Sequence, residues 1–277
     1  IVEAEVTMLP DISTEAEFQD WLKTIEGKYV MIDMAQPTGR SNDNWEKWAT
    51  DESMENMREM VREARIAWGQ RVRATGYNSR ELPAVLEENG AAGILISNWS
   101  RGFGVNKIFG ARTETIPTID IGLEDYGTLF RMVQHGDTPT IRVEVTSKDH
   151  GTVPTYNTIA EMPGTNADEY VLLSAHFDSW DGGTGATDNG TGTLIMMEAL
   201  RILKKVYPNP KRTILVGLWG SEEQGLNGSR AFVEDHPEVV EGLQALFNQD
   251  NGNGRVARIS GQVFLHAYEF INRWLEP

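Results

Sequence analysis

The sequence contains no cysteine, no long apolar run and comparatively little positive charge. Without cysteine, neither a disulfide bond nor a thiolate metal ligand is available, so a metal site has to use histidine and oxygen ligands. No apolar run approaches the ~20 residues that a bilayer-spanning helix needs. The 25 Lys and Arg residues are outnumbered by 41 Asp and Glu, which gives a formal net charge of −16. This charge disfavours a nucleic-acid duplex as a partner and suits a location in the extracellular or periplasmic space.

The sequence does have enough apolar material for packed cores. Of its 277 residues, 40% are hydrophobic, 24% charged and 9% aromatic, which is typical of a folded chain. The length is large for one compact domain, so we expect two. The chain begins at Ile1 and stops at Pro277 soon after a helical pattern, and we expect both ends to lie inside a longer polypeptide. The absence of a signal peptide is therefore uninformative.

The order of helical and extended patterns predicts an α/β fold throughout. In residues 1–148 helices and strands alternate, and the longest helical pattern carries apolar side chains from Met54 to Trp68 that we interpret as a core face. In residues 149–277 helices alternate with extended segments, which are 153–161, 170–175, 212–219 and 243–248. Such alternation predicts a mainly parallel sheet, in which ligands bind at the carboxyl ends of the strands.

Polar residues follow several of these predicted strands. They are His176, the adjacent pair Glu222 and Glu223, and Asp250. Taken singly, such residues are most often satisfied or solvated groups, and the two glutamates could simply favour a helix N-terminus. Their convergence on one sheet edge favours a metal instead, because like-charged groups repel each other unless a cation holds them. Histidine and carboxylate are zinc ligands, and one of two adjacent glutamates can bind a metal while the other transfers protons.

Two long motifs resemble a known family. They are H-F-D-S-W-D-G-G-T-G-A-T-D-N-G-T-G at 176–192 and P-K-R-T-I-L-V-G-L-W-G-S-E-E-Q-G at 210–225. Through them the chain is similar to the dizinc exopeptidases that include bacterial aminopeptidases and glutamate carboxypeptidases, and it most resembles the plasma glutamate carboxypeptidase (carboxypeptidase Q) branch. The resemblance implies a protease-associated-type domain in residues 1–148. It implies that residues 149–277 are the N-terminal half of a mainly parallel-sheet zinc-peptidase α/β/α domain.

The resemblance also implies a role for each polar residue of the motifs. Asp188 would bridge two zinc ions, and His176 and Asp250 would complete the protein ligands of one of them. Glu223 would bind the other zinc ion. Glu222 would be the general base, which takes a proton from the metal-bridging water and delivers it to the leaving amine.

Further expectations concern the surroundings of these ligands. Asp178 would take part in catalysis by hydrogen-bonding and orienting the imidazole of His176, and the Asp188–Asn189 peptide bond would be cis. The last zinc ligand of the family is a downstream histidine, whereas His266 lies only sixteen residues after Asp250 and does not match it. We therefore expect the second zinc ion to bind weakly or not at all and the 277-residue chain to be inactive alone.

The implied function is zinc-dependent hydrolysis of terminal peptide bonds in small peptides, of the carboxypeptidase or dipeptidase type. An aminopeptidase with the same dizinc centre is the alternative, and a non-catalytic binding module is a second alternative for this chain. Peptides are the expected partners, and a homodimer is left open. In the first region, Arg101 and Arg112 lie in a glycine-containing loop that is either solvated or a binding site for a substrate carboxylate.

Overall fold

The structure, a computed structural model, describes residues 1–102, 106, 110–148, 150–180, 182–250, 252–254, 259–261 and 266–275. The chain forms two compact units, Ile1–Asp149 and His150–Pro277, and each is built around its own β-sheet. We call them the first unit and the second unit. Among the described residues, no helix is both long and apolar enough to cross a membrane.

The first unit contains a five-stranded sheet in the order β4-β3-β2-β1-β5. Neighbouring strands from β1 to β4 run parallel, and β5 pairs antiparallel with β1. The strands are β1 (Val2–Met8), β2 (Tyr29–Met31), β3 (Gly93–Ile96), β4 (Thr118–Asp120) and β5 (Thr140–Val143). The helices are α1 (Glu15–Leu22), α2 (Asn42–Trp48), α3 (Asp51–Ala74), α4 (Leu82–Glu88) and α5 (Leu123–Gln134).

Apolar side chains on both faces of this sheet form the core of the first unit. Strands β2 and β3 are buried at every position, as expected for central parallel strands. One face packs against α1 and α4 through residues such as Phe18 and Leu86, and the other packs against α5 through Tyr126. Helix α1 begins with a capping box, in which the Glu17 N–H donates to the Thr14 hydroxyl and the Thr14 N–H donates to the Glu17 carboxylate.

The longest helix, α3, lacks the core face that its sequence predicts. Met54, Met57 and Val61 are only half-buried, and no residue of α3 is fully buried. Trp68 and Val72, near its C-terminus, pack against the buried core. The N-terminal half of the helix lines an open cleft instead. The prediction was wrong here because apolar periodicity identifies the less polar face of a helix but not what covers it.

The second unit contains a four-stranded sheet in the order β6-β8-β7-β9. Strand β7 runs parallel to β8 and β9, while β6 is antiparallel to β8, so the prediction of a mainly parallel sheet is confirmed. The strands are β6 (Thr158–Met162), β7 (Asn166–His176), β8 (Arg212–Trp219) and β9 (Leu243–Asn248). A π-helical turn spans Ala186–Gly190, and the α-helices are α6 (Thr191–Val206), α7 (Asn227–Asp235), α8 (Pro237–Gly242) and α9 (Ala267–Leu275).

Helices cover both faces of this sheet, which gives the three layers of an α/β/α domain. Helix α6 packs on one face, where Met196 joins a buried cluster with Val216. Helices α7 and α8 pack on the other face, where Phe232 and Val239 join a cluster with Trp219. The sheet is therefore held as a rigid layer.

Parallel pairing brings the carboxyl ends of three strands to one edge of the second sheet. His176, the last residue of β7, pairs with Trp219, the last residue of β8. Ser174, two residues earlier in β7, pairs with Asn248, the last residue of β9. The segments that follow these strands carry the other predicted site residues, so all of them start from the same edge.

Candidate metal centre

The imidazole of His176 lies at the centre of the site. His176 is only 3% exposed. Its Nε2 atom lies 3.0 Å from Asp188 Oδ1 and 3.1 Å from Asp250 Oδ1. Ligand atoms of these three residues all lie within 4.8 Å of one another, and among the described residues this is the one group of three or more such side chains able to hold a metal. The structure thus brings together three of the four predicted ligands.

The opposite nitrogen of His176 fixes which atom faces the carboxylates. Nδ1 lies 3.0 Å from the backbone carbonyl oxygen of Asp178, which can only accept a hydrogen bond. In neutral His176 the proton therefore sits on Nδ1, and the lone pair of Nε2 points toward two carboxylate oxygens. Three acceptors facing one another repel, and a proton or a cation between them turns that repulsion into attraction.

Nearby carboxylates shift the protonation of the whole group. Burial lowers the pKa of His176, but the negative charges of Asp250 and Glu222 outweigh it and leave that pKa raised. Burial also raises the pKa of Glu222. The charge of His176 lowers this pKa, and the negative charge of Asp250 raises it further. The pKa of Glu223 is raised by burial and then by repulsion from Asp188. The site therefore holds more negative charge than its own residues balance.

Asp178 connects the end of β7 to the turn after β8. Its Oδ1 accepts a hydrogen bond from the Glu222 N–H at 3.0 Å, and its Oδ2 accepts one from the Glu223 N–H at 3.2 Å. The sequence predicts that this carboxylate orients the imidazole of His176. Oδ1 lies 3.6 Å from Nδ1, however, and the backbone carbonyl of Asp178 is the closer acceptor. The carboxylate thus acts mainly on the backbone that positions the two glutamates.

Glu222 and Glu223 lie in a tight turn after β8, and both are half-buried. Ser221 and Leu226 flank them with left-handed backbone angles, φ 56° and 63°. Oε1 of Glu223 is buried and has no hydrogen-bond partner among the described residues. An unpaired buried carboxylate oxygen is costly unless something binds it. Oε1 of Glu223 is therefore available to bind a donor or a cation.

The loop that carries Asp188 is fixed by residues that the sequence analysis did not identify. The Asp188–Asn189 peptide bond is cis, which confirms the prediction. Asn189 is buried; its Nδ2 donates to the Gln249 carbonyl at 2.8 Å and its Oδ1 accepts from the Gly192 N–H at 3.0 Å. A Cβ atom at Gly192 would lie 2.2 Å from Asn189 Oδ1, so no larger residue fits there. The side-chain amide thereby ties the Asp188 loop to the residue before Asp250.

Two further observations concern the backbone of His176 and the position of His266. The Thr193 hydroxyl donates to the His176 carbonyl at 2.9 Å, which anchors the end of β7 to α6. Thr193 belongs to the run D-N-G-T-G-T at 188–193. The prediction of the metal site assigns no role to the hydroxyl and amide side chains of this run. His266, which follows residues outside the described part of the chain, is exposed and is not a member of the His176 group.

Comparison of the sequence with known proteins finds a family match and relatives for the second unit. Residues 157–268 match peptidase family M28. Over 138 residues the chain is 38% identical to carboxypeptidase Q of Rattus norvegicus and 36% identical to that of Homo sapiens, with 50% of this chain and 29% of each relative covered. Leucine aminopeptidase 2 of Arthroderma otae is 32% identical over 144 residues, which cover 52% of this chain and 28% of that protein. The match thus spans less than a third of the length of these curated relatives.

Solved structures extend the likeness beyond the second unit. A peptidase M28 precursor from Shewanella amazonensis has a TM-score of 0.61 at 25% identity, over 91% of this chain and 52% of that chain. An aminopeptidase from Aneurinibacillus sp. strain AM-1 has a TM-score of 0.55 at 18% identity, over 90% of this chain and 51% of that chain. The second likeness concerns the fold alone.

Proposed function

We propose, from the match of residues 157–268 to peptidase family M28, that the chain carries the metal-binding half of a zinc-dependent exopeptidase. The enzyme would hydrolyse terminal peptide bonds of small peptides in the carboxypeptidase or dipeptidase manner. One observation carries the proposal: Nε2 of buried His176 faces two carboxylates while Nδ1 is committed to a backbone carbonyl. A bound cation would therefore stabilise this arrangement of acceptor atoms.

The residues present fit zinc. An imidazole nitrogen and carboxylate oxygens are zinc ligands, and the unpartnered Oε1 of Glu223 is a further one. His176, Asp188 and Asp250 would hold one ion, and Asp188 and Glu223 would hold a second. When bound, zinc supplies Lewis-acid polarisation of the scissile carbonyl and acidifies water.

The proton transfers fall to Glu222. Its raised pKa and half-buried position suit a carboxylate that accepts a proton and gives it up again. Glu222 would take one proton from the attacking water and deliver it to the nitrogen of the breaking amide bond, so that the amine leaves uncharged. Asp178 holds the Glu222 backbone in place throughout. It is a positioning residue in this scheme.

Two alternatives have support of their own. The 32% identity to a leucine aminopeptidase favours an aminopeptidase with the same centre. The first unit, which we propose to be a protease-associated-type domain, would be the functional part if the chain were a binding module. We propose an extracellular or periplasmic location on the basis of the net charge of −16.

The direction of cleavage is tested with blocked dipeptides. A carboxypeptidase hydrolyses an N-acetylated dipeptide, an aminopeptidase hydrolyses a dipeptide amide with a free amine, and a strict dipeptidase hydrolyses neither. Hydrolysis is measured on the complete polypeptide that includes these residues, with and without a chelator. We expect cleavage of the N-acetylated dipeptide, or of the free dipeptide with neither blocked form cleaved, and we expect the chelator to abolish it. Cleavage that survives the chelator would refute a metal-dependent mechanism.

The role of Glu222 is tested by Glu222→Gln, with the exposed Glu234→Gln on α7 as the matched control. In the complete polypeptide, we expect Glu222→Gln to bind zinc with the affinity of the unchanged protein while turnover falls by about 10²- to 10⁴-fold. Glu234→Gln should change neither quantity. Loss of zinc binding in Glu222→Gln would instead make Glu222 a ligand.

A further inference from the structure

A cleft of about 380 Å³ opens on the first unit, and nothing in the peptidase centre requires it. Its apolar side is the half-buried stripe of α3, formed by Met54, Met57 and Val61, together with Trp45 of α2. These side chains are the ones that the sequence predicts to be core. Because they are only half-buried, they form a floor that an apolar group of a ligand can contact.

Trp45, which lines this cleft, carries an unused hydrogen-bond donor. Its Nε1 atom is buried and has no hydrogen-bond partner among the described residues. Trp99, which also lines the cleft, is different, because its Nε1 donates to the Gly102 carbonyl at 2.7 Å. A buried N–H without an acceptor costs free energy, which a ligand with an acceptor oxygen recovers. The guanidinium of Arg40 lies over the Trp45 ring, 5.7 Å from its centroid.

Positive charge surrounds the same cleft, although the chain as a whole is strongly acidic. Among the described residues, five arginines and a single acidic residue line it: Arg40, Arg58, Arg62, Arg65, Arg101 and Glu46. Arg58 and Arg62 are paired with glutamates one turn earlier on α3. Arg65 and Arg101 have no ion pair or hydrogen bond with any described residue, and both are exposed. Two unpaired guanidiniums beside an orphan N–H and an apolar floor point to an amphipathic anion.

We propose that this cleft is a binding site for an acidic peptide, with Arg65 and Arg101 holding its carboxylates. Guanidinium groups bind carboxylates with charge-assisted and often bidentate hydrogen bonds. The Trp45 N–H donates to an oxygen of the same peptide, and the apolar side chains of the peptide rest on Met54 and Met57. The sequence left Arg101 and Arg112 equally open as carboxylate ligands. The structure favours Arg101, because Arg112 lies outside this cleft and its guanidinium donates to Asn98 Oδ1 at 3.4 Å.

Binding is measured by fluorescence polarisation with a labelled, N-acetylated peptide of alternating Glu and Leu. A chelator is present throughout, so the result does not depend on whether the second unit is a peptidase. We expect saturable binding to the 277-residue chain and at least about tenfold weaker binding of the same peptide with Gln in place of Glu, since charged hydrogen bonds are lost. Equal binding of the two peptides would overturn the proposal.

Substitutions locate the site. Arg65→Ala with Arg101→Ala should weaken binding of the Glu peptide about tenfold or more. The matched control is Arg80→Ala with Arg142→Ala, which removes the same charge from exposed positions of the first unit outside the cleft. The control should bind as the unchanged chain does. An equal loss in both double variants would mean general charge attraction and would refute a specific site.

Two further measurements separate the components of the site. Trp45→Phe keeps the ring and removes the N–H, so we expect binding roughly two- to tenfold weaker, the value of one neutral hydrogen bond. Inorganic phosphate should compete only weakly, because it cannot use the apolar floor. Tight phosphate binding combined with no peptide binding would make the cleft a phosphate site and overturn the proposal.

Discussion

Asp178→Asn tests whether a carboxylate on β7 holds the turn that carries the two glutamates. The carboxylate accepts hydrogen bonds from the backbone N–H groups of Glu222 and Glu223. Asparagine keeps one acceptor oxygen but turns an NH₂ group toward the other N–H. One bond to a charged acceptor is lost, worth about 1.5–3 kcal/mol, and two donors then oppose each other. Because the Asp178 side chain is 21% exposed, the lower end of that range applies.

One opposing effect has to be subtracted. Asp178 is among the carboxylates that raise the pKa of Glu222, so neutralising it relieves part of the repulsion in the site. Ion pairs at a partly exposed sheet edge contribute at most about 1 kcal/mol. The lost hydrogen bond exceeds this, and we expect the free energy of unfolding of the second unit to fall by about 0.5–1.5 kcal/mol. For a unit of this size that is a decrease of roughly 2–6 °C in its melting temperature.

The measurement is differential scanning calorimetry of the 277-residue chain, with Asp168→Asn as the control. Asp168 is an exposed aspartate near the start of β7, so its substitution removes the same charge without touching the turn. Scans with saturating zinc should keep or enlarge the difference between the variants, because zinc offsets the repulsion that the substitution would otherwise relieve but not the lost bond. If Asp178→Asn melts within about 1 °C of the control, or above it, the carboxylate does not hold the turn.

Two predictions concern the first unit. Burial raises the pKa of Glu87, but hydrogen bonds from the Thr115 hydroxyl and from the N–H groups of residues 114–116 outweigh it and hold that pKa at about 2. A lowered carboxylate pKa stabilises the fold above the ordinary value of 4.5 and loses that effect toward pH 2. Glu87→Gln should therefore lower the free energy of unfolding, measured by urea titration, by about 1 kcal/mol at pH 7 and by much less at pH 3. An equal decrease at both pH values would contradict this. The buried Tyr126 hydroxyl donates to the Asp33 carbonyl at 2.7 Å and accepts from the Asp33 N–H at 2.9 Å. Tyr126→Phe should thus destabilise the first unit by about 1–3 kcal/mol, whereas Tyr156→Phe, at a side chain 77% exposed, should be neutral in the same urea titration.

The parts of the fold that were predicted correctly have strong local signals. Strands β8 and β9 have the bounds that the sequence predicts, because each is a short apolar run ending at a polar turn. Strand β1 was not predicted, since it carries Glu3 and Glu5 and only Val6 is buried. It is a strand because β2 and β5 pair with its two sides, and one of those partners lies more than 130 residues away. Propensity contains no information about such long-range pairing.

The same distinction applies to the metal centre. The convergence of His176, Asp188 and Asp250 could be predicted because parallel strands end at one edge and the motif spacing is specific. The contact made by Asp178 could not, since its acceptors meet backbone N–H groups more than 40 residues later in the chain. The buried Asn189 amide was missed for a related reason, because only the folded loop brings it to the Gln249 carbonyl.

The central position of β7 has a consequence for how the site opens and closes. Its amides are bonded on both sides, to β8 and to β9, so hydrogen exchange there requires a neighbouring strand to separate first. Within the described residues β9 has β7 as its one neighbour, and Glu222 and Glu223 belong to a turn. Among β7, β9 and residues 220–226, hydrogen exchange measured in a chelator should be slowest in β7 and fastest in residues 220–226. The reverse order would contradict this expectation. A metal ion that binds would thus meet an imidazole that is already fixed. When the ion leaves, the segments that carry the carboxylate side chains would become mobile first.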